Sequence, residues 1–199
     1  MQRILLFSDL HGDTKAAERL MAIDADIYIA AGDLSTFTRN LDKMGPILGQ
    51  KQERVYVMPG NHESAADVER FTAQWGLQYF HHRTITVGKH YIAGLGYSNI
   101  TPFRTPGEYT EEALEQALTP WAELKPLVLV CHCPPKDTPL DQAGVGKHFG
   151  SPAIRRFVDA HQPEWFFCGH IHEAEGVDAT IGTTRGRNVG KRGYLLELE

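Results

Sequence analysis

Five short apolar runs along this chain each stop at a loop that carries Asp, Asn or His beside a turn-forming or small residue. Arg3 to Ser8 leads into Asp9-Leu10-His11-Gly12-Asp13, Asp26 to Ala31 into Gly32-Asp33, and Arg54 to Met58 into Pro59-Gly60-Asn61-His62-Glu63. Leu127 to Cys131 delivers His132, and Trp165 to Cys168 leads to Gly169-His170-Ile171-His172. Short apolar runs bounded by turn residues read as buried strands. After the first three, the apolar spacing turns helical over residues 14–23, 37–48 and 64–75, with Asp13 or Thr14 suited to cap the first helix. Strand, loop, helix three times over is the grammar of a βαβ protein, which keeps its chemistry at the carboxyl ends of its strands.

The middle of the chain changes character. Residues 77–81 and 83–87 read as short strands, and Gly88-Lys89 before His90-Tyr-Ile-Ala93 reads as a hairpin turn. Residues 97–109 form a loop broken by Pro102 and Pro106, followed by a helix over 110–124 with Glu111 and Glu112 in its first turn. Residues 133–150 are rich in Pro and Gly, Ser151-Pro152 opens another helix to Ala160, and a glycine-rich tail ends in a strand over 193–198. With no linker, repeat or low-complexity tract, the reading is a single domain over residues 1–199. The net charge of −5 and the lack of a long basic run give no reason to expect tight nucleic-acid binding. The apolar run near the N-terminus, Ile4 to Phe7, is too short for a signal sequence or a membrane span, so a cytoplasmic protein without a membrane partner is expected.

Taken singly, each loop residue has an ordinary explanation. Asp after a strand is a common turn former or helix cap, and Gly-His-x-His is compatible with two hydrogen-bonded imidazoles. Together they are harder to dismiss. Two aspartates and five histidines, converged without metal, would leave buried charge poorly balanced. Seven oxygen- or nitrogen-bearing ligands are too many for one four-coordinate ion and suited to two ions sharing a bridge. Asp33 is the candidate bridge, between ions about 3.5–4 Å apart. Two divalent ions and two aspartates leave roughly +2 on the site, which favours a phosphate ester over a neutral amide or glycoside. Mixed nitrogen and oxygen ligation fits manganese first, with iron, zinc, cobalt or nickel also compatible.

Asp9-x-His11, Gly32-Asp33, Gly60-Asn61-His62-Glu63, His132 and Gly169-His170-x-His172 occur in an order and spacing that resembles the calcineurin-like metallophosphoesterases over nearly the whole chain. The resemblance implies a four-layer α/β/β/α sandwich with two mixed β-sheets. It implies one metal on Asp9, His11, Asp33 and His172, and a second on Asp33, Asn61, His132 and His170. His62 would face the leaving-group oxygen as the catalytic acid, while a hydroxide shared by the ions attacks phosphorus. Protein phosphatases of this superfamily follow Gly-Asp with an arginine-bearing segment, whereas this chain reads Gly32-Asp33-Leu34-Ser35-Thr36. That departure disfavours a protein phosphatase. The Gly60-Asn61-His62-Glu63 and Gly169-His170-Ile171-His172 forms, with Thr101-Pro-Phe-Arg-Thr-Pro106, resemble the compact prokaryotic phosphoesterases related to cyclic-nucleotide phosphodiesterases. A small phosphodiester or related phosphate ester is the expected substrate.

Two alternatives use the same residues: a nuclease with this metal chemistry, and a non-catalytic interaction scaffold. The charge balance disfavours the first, and the intact ligand set disfavours the second. Arg104 and the cluster Arg185, Arg187, Lys191 and Arg192 read as solvated surface cations. Glu63 and Glu173, beside the ligands, are candidates to orient them. Cys131, Cys133 and Cys168 read as buried thiols without a metal or redox role. Histidines 81, 82, 90, 148 and 161 read mostly as surface residues, with His148 the one to watch.

Overall fold

Strand β1 (Gln2–Phe7) is buried on both faces, with Ile4 and Leu6 turned one way and Leu5 and Phe7 the other. A strand covered on both sides needs no polar alternation, which is why it reads as a continuous apolar run. The computed structural model describes all residues, 1–199. The chain continues through α1 (Thr14–Met21), β2 (Ile27–Ala31), α2 (Leu41–Leu48), β3 (Val55–Met58), α3 (Ala65–Trp75) and β4 (Gln78–Tyr79). Strands β1 to β4 are parallel neighbours, each crossover made through a helix or the loop that follows it. The first helix is capped by Asp13, whose side chain accepts from the backbone N–H of Ala16 at 3.0 Å.

A hairpin then starts a second sheet, with β5 (Arg83–Val87) antiparallel to β6 (His90–Leu95) across the Gly88-Lys89 turn. Two short strands, β7 (Ser98–Asn99) and β8 (Glu108–Tyr109), close off the loop between them. Helix α4 (Glu111–Leu118), β9 (Leu127–Cys131), α5 (Pro152–His161) and β10 (Trp165–Cys168) follow, and then β11 (Asp178–Ile181), β12 (Thr184–Asn188) and β13 (Tyr194–Leu198). The last strand returns to the first sheet, antiparallel to β1. The two sheets therefore run β13-β1-β2-β3-β4 and β11-β12-β10-β9-β6-β5, each mixed.

Three apolar layers hold these parts together. Leu5, Phe7, Tyr28 and Val57 pack under α1, α2 and α3, and Leu129, Cys131 and Phe166 pack under α4 and α5. Between the sheets, Ile4, Leu6, Ile29 and Met58 meet Ile92, Val128, Val130 and Phe167. The result is the expected α/β/β/α sandwich, and its inner layer fixes the ends of β1, β2 and β3 against those of β9 and β10.

Some expected elements differ. The helix read over 37–48 begins only at Leu41, because Phe37, Thr38 and Asn40 adopt positive φ of 50°, 61° and 66° and cannot be helical. The helix read over 110–124 stops at Leu118 and gives way to a tighter turn at Thr119–Trp121, beside Pro120. The hairpin of β11 and β12 was not expected at all. Its residues, including Asp178, Thr180, Arg185 and Arg187, lack a strand's apolar pattern because this edge of the sheet is partly solvated. His81 and His90 are buried rather than at the surface. The Gly96 N–H donates to Nδ1 of His81 and the Tyr109 hydroxyl meets its Nε2, while burial pushes the ring down to about 3 and keeps it neutral.

Phe167→Ala should cost about 3–5 kcal/mol in urea unfolding and also weaken binding of divalent metal, because it loosens the layer that sets one group of strand ends against the other. Leu20→Ala, in the outer layer under α1, should cost about 2–5 kcal/mol while metal affinity, measured by calorimetry, stays near that of the unaltered chain.

Candidate active site

The loops after β1, β2 and β10 turn sharply out of their strands. Asp9, His11, Asp33 and His170 have positive φ of 56°, 47°, 52° and 67°. A residue with a Cβ pays roughly 1–2 kcal/mol for that conformation, least for Asp. Cross-loop hydrogen bonds hold it in place. Asp9 N–H donates to the Gly32 carbonyl at 3.1 Å, His11 N–H to that of Asp33 at 2.9 Å, and His170 N–H to the Asp9 carboxylate at 3.0 Å. The glycines before Asn61 and His170 are required by space. A Cβ on Gly60 would lie 2.0 Å from Asp33 Oδ1, and one on Gly169 would lie 2.0 Å from Ser8 Oγ.

All eight residues singled out in the sequence come together here. Asp9, His11 and His172 form one group of close ligand atoms, and Asp33, His132 and His170 form another. His11 Nε2 lies 3.0 Å from His172 Nε2, 3.9 Å from Asp9 Oδ1 and 3.7 Å from Asp33 Oδ2. On the other side, His132 Nε2 is 3.3 Å from the same Asp33 oxygen and 3.1 Å from Asn61 Oδ1, which is itself 2.9 Å from His170 Nδ1. Two imidazole nitrogens bound at right angles about 2.1 Å from one ion lie about 3.0 Å apart, so the His11–His172 spacing fits a shared cation. The tautomers fit as well. Nδ1 of His11 faces the Ser35 carbonyl at 3.1 Å and Nδ1 of His132 faces that of Ala31 at 2.8 Å. Each Nδ1 therefore carries a proton, and Nε2 is the nitrogen that would face a cation once any proton on it is displaced.

Electrostatics say the same. Burial alone would raise Asp9, but the hydrogen bond to His172 and the charge of His132 hold it well below the usual carboxylate range. Asp33 is likewise lowered against its burial by the charge and hydrogen bond of His132. Burial opposes a charge on His132, yet Asp33 overrides it and lifts the ring to about 9. Burial and the neighbouring His132 push His170 down to about 4. The proton that His132 holds tightly beside Asp33 occupies a place that a cation could take.

His62 stands beside these groups without the same bracing. Its Nδ1 accepts from Phe37 N–H at 3.4 Å, and its ring meets Phe37 and His11 edge-on. Glu63 is buried and does not begin a helix. Its carboxylate accepts from the backbone N–H groups of Asp33, Ser35 and Gly60 at 3.1, 2.7 and 3.0 Å, and so pins two ligand loops together. Burial first, and then the Asp33 charge, raise it to about 7. Glu173 is exposed and braces nothing comparable. Asp33, Asn61, His62, His170 and His172 open onto a cavity of about 590 Å³.

Several supporting residues escaped the sequence reading. Ser8 Oγ donates to Asp9 at 2.6 Å, Thr36 Oγ1 lies 3.1 Å from His11 Nδ1, and Asn61 Nδ2 donates to Thr105 Oγ1 at 3.2 Å. Asn188 Nδ2 donates to the carbonyls of Gly169 and Ile171 at 3.1 and 3.0 Å. Ser8 and Thr36 adjoin ligand motifs and could have been suspected, whereas nothing local marks Thr105 or Asn188. Of the discounted residues, Lys191 shares a small cleft with Asp9 and His172, and the arginines stay apart from the candidate ligands. Arg104 is exposed, and its neighbours Thr101, Pro102 and Phe103 line the cavity instead. Arg187 pairs with Asp178 at 2.6 Å, Lys191 lies 3.7 Å from Asp13, Arg192 lies 3.9 Å from Glu175, and Arg185 lies over Trp165. Burial pushes the thiols up, that of Cys133 to about 12.

The His132 proton sets a pH dependence. The folded chain binds it more tightly than an unfolded one, so its stabilisation is complete below about 6.5 and lost as pH rises through about 9. The melting temperature should fall between pH 6.5 and 9 in chelator. The fall should shrink with manganese, which replaces that proton. A metal-free melting temperature that rises over this interval would contradict the His132–Asp33 pairing.

Comparison with known proteins bears on the family and the fold. A protein of Methanocaldococcus jannaschii described as uncharacterised is 31% identical, over 98% of this chain and 90% of its own length. The phosphopantetheinyl hydrolase of Mycobacterium tuberculosis has a similar fold, with TM-score 0.70 at 16% identity, covering 94% of this chain and 88% of that one. A dimetal phosphatase of Danio rerio gives 0.61 at 12% identity, with coverage of 93% and 86%. The family model described as calcineurin-like phosphoesterase matches residues 2–174, a span that takes in every residue from Asp9 to His172. The chain therefore belongs to the calcineurin-like phosphoesterases, a family of metal-dependent phosphoester hydrolases.

Proposed function

We propose that this protein hydrolyses a small phosphodiester at a two-metal centre, with Asp9, His11, Asp33 and His172 holding one ion and Asp33, Asn61, His132 and His170 the other. The observation that carries this reading is the position of one carboxylate oxygen, Asp33 Oδ2, between the two ligand groups, 3.7 Å from His11 and 3.3 Å from His132. Two divalent ions, manganese first, would supply a water of lowered pKa and neutralise phosphoryl oxygens. The name of the Danio rerio protein, a dimetal phosphatase, supports carrying two-metal chemistry to this chain.

The protein's own groups divide the remaining work. With Nδ1 of His62 turned toward the Phe37 N–H, Nε2 is the ring nitrogen left to face the leaving group. His62, held as the imidazolium by the phosphate's charge, would pass its Nε2 proton to the departing alkoxide oxygen as the P–O bond breaks and become neutral, while the hydroxyl group of water remains on phosphorus. Glu63 keeps the loops of Asp33 and Asn61 in register, and Thr105 turns the Asn61 amide so that its oxygen faces inward. The cavity wall holds Lys136 as its one lysine or arginine, which suits the single charge of a diester better than the double charge of a monoester. Ser35 and Thr36 stand where protein phosphatases of the superfamily bring an arginine, and here they brace Glu63 and His11. The basic residues near the C-terminus are engaged with this chain's own acids and aromatic rings, which disfavours a nuclease. Small soluble diesters in the cytoplasm are the proposed setting.

Bis-nitrophenyl phosphate should be turned over with manganese and not in chelator. His62→Ala should slow alkyl diesters by about 10²–10⁴-fold, but nitrophenyl esters far less, since their leaving groups need no proton. Equal losses on both would remove His62 from the acid role.

A further inference from the structure

Apart from Met1 at the start of the chain, the few large apolar side chains that are exposed gather at one place. Ile100 (66% exposed), Phe103 (75%) and Phe149 (56%) line the same cavity as the ligand groups, Val145 (98%) lies in the loop of Phe149, and Phe37 (44%) packs against His62. Exposed apolar groups scattered singly need no explanation, whereas a cluster around a polar site does.

The loops that carry these rings are pinned. Asp141 is fully buried, and its carboxylate takes the Thr138 N–H at 2.9 Å, the Gly150 N–H at 2.9 Å and Nδ1 of His148 at 2.7 Å. Lys136 Nζ donates to the His148 carbonyl at 3.3 Å. Phe149, between His148 and Gly150, is thereby held in place. On the facing loop the Glu108 carboxylate accepts from the Thr105 N–H at 2.9 Å and from the Thr105 hydroxyl at 2.6 Å, and that hydroxyl also meets Asn61. The Phe103 N–H donates to Thr101 Oγ1 at 3.2 Å. Apolar rings fixed by buried or multiply bonded carboxylates, one of them tied to a ligand residue, form a preorganised surface.

We propose that this outer half of the cavity is a subsite for a flat aromatic or heteroaromatic group on the phosphate ester. The inference rests on the phosphoester reading and names the organic part of that substrate. The whole cavity, about 590 Å³, falls within the range of roughly 300–1,000 Å³ usual for a small-molecule site, far more than a phosphate group requires. Its apolar walls, Phe103, Phe149 and Ile100, match the faces of a ring. Lys136 and the free edge of His148, whose other nitrogen is taken by Asp141, match a polar rim. An alkyl chain would meet the same walls without the ring stacking that Phe103 and Phe149 offer a flat group.

Calorimetry on the manganese-loaded protein with methylphosphonate, hexylphosphonate, benzylphosphonate and naphthylmethylphosphonate tests this. The aryl compounds should bind about tenfold or more tighter than methylphosphonate, as expected for burying a ring, and the ratio should collapse toward one in Phe103→Ala/Phe149→Ala. Both residues are exposed, so the variant should fold. Methylphosphonate binding without an aryl advantage would overturn the subsite and leave the phosphoester reading intact. Hexylphosphonate binding as tightly as benzylphosphonate would overturn the aromatic assignment. So would cosedimentation with phosphatidylglycerol vesicles that the same variant abolishes, since the apolar collar would then serve a lipid surface. Binding of none of the phosphonates would overturn the subsite, and only if bis-nitrophenyl phosphate were also left intact would the phosphoester reading fall with it.

Discussion

A carboxylate with almost no access to water has to be neutralised where it stands, and Asp33 faces that constraint from both sides. It is 2% exposed, it accepts from the His62 N–H at 2.9 Å, and it lies among imidazoles from both sheets. Asp9 is nearly as buried and leans on the backbone of His170 and the hydroxyl of Ser8. A proton on His132 balances part of this charge, and bound cations would balance the rest. The left-handed turns at Asp9, Asp33 and His170 are the backbone's share of the cost, since they aim the side chains at one point rather than along their strands.

The layered architecture follows from the same need. The loops of β1, β2 and β3 bring Asp9, His11, Asp33 and Asn61, whereas those of β9 and β10 bring His132, His170 and His172. Neither sheet holds the whole set. The apolar layer between them, with Ile4, Leu6 and Met58 against Val128, Val130 and Phe167, fixes how the two half-sites meet. An interior packed like a crystal can hold such spacings to fractions of an ångström. Glu63 repeats this role locally by tying the loops after β2 and β3 with one buried carboxylate. The clamps at Asp141 and Glu108 do so again at the cavity mouth.

The groups that were legible in the sequence are those whose chemistry and position are both local. A strand covered on both faces leaves an apolar run, and the loop after it leaves Gly, Asp, Asn or His, so the strand ends could be located one by one. Groups that work at a distance left no such trace. Thr105 and Asn188 act on ligands far from them in the chain, and the hairpin of β11 and β12 is stabilised by pairing rather than by an apolar pattern. His81 and His90 misled the reading because polar residues in ordinary surroundings are usually exposed, and only the packed structure supplies the partners that let them be buried.

By itself, then, the amino-acid order determined the alternation of strands and helices, the residues able to grip cations, and the glycines that leave room beside them. Those properties are written in neighbouring residues, through strand and helix periodicity and through the size of a side chain. Only the tertiary structure decided that one oxygen of Asp33 lies between both ligand groups, that Glu63 braces two loops, and that Phe103 and Phe149 line one cavity. These are distances between segments far apart in the chain, and they are set by how two sheets pack.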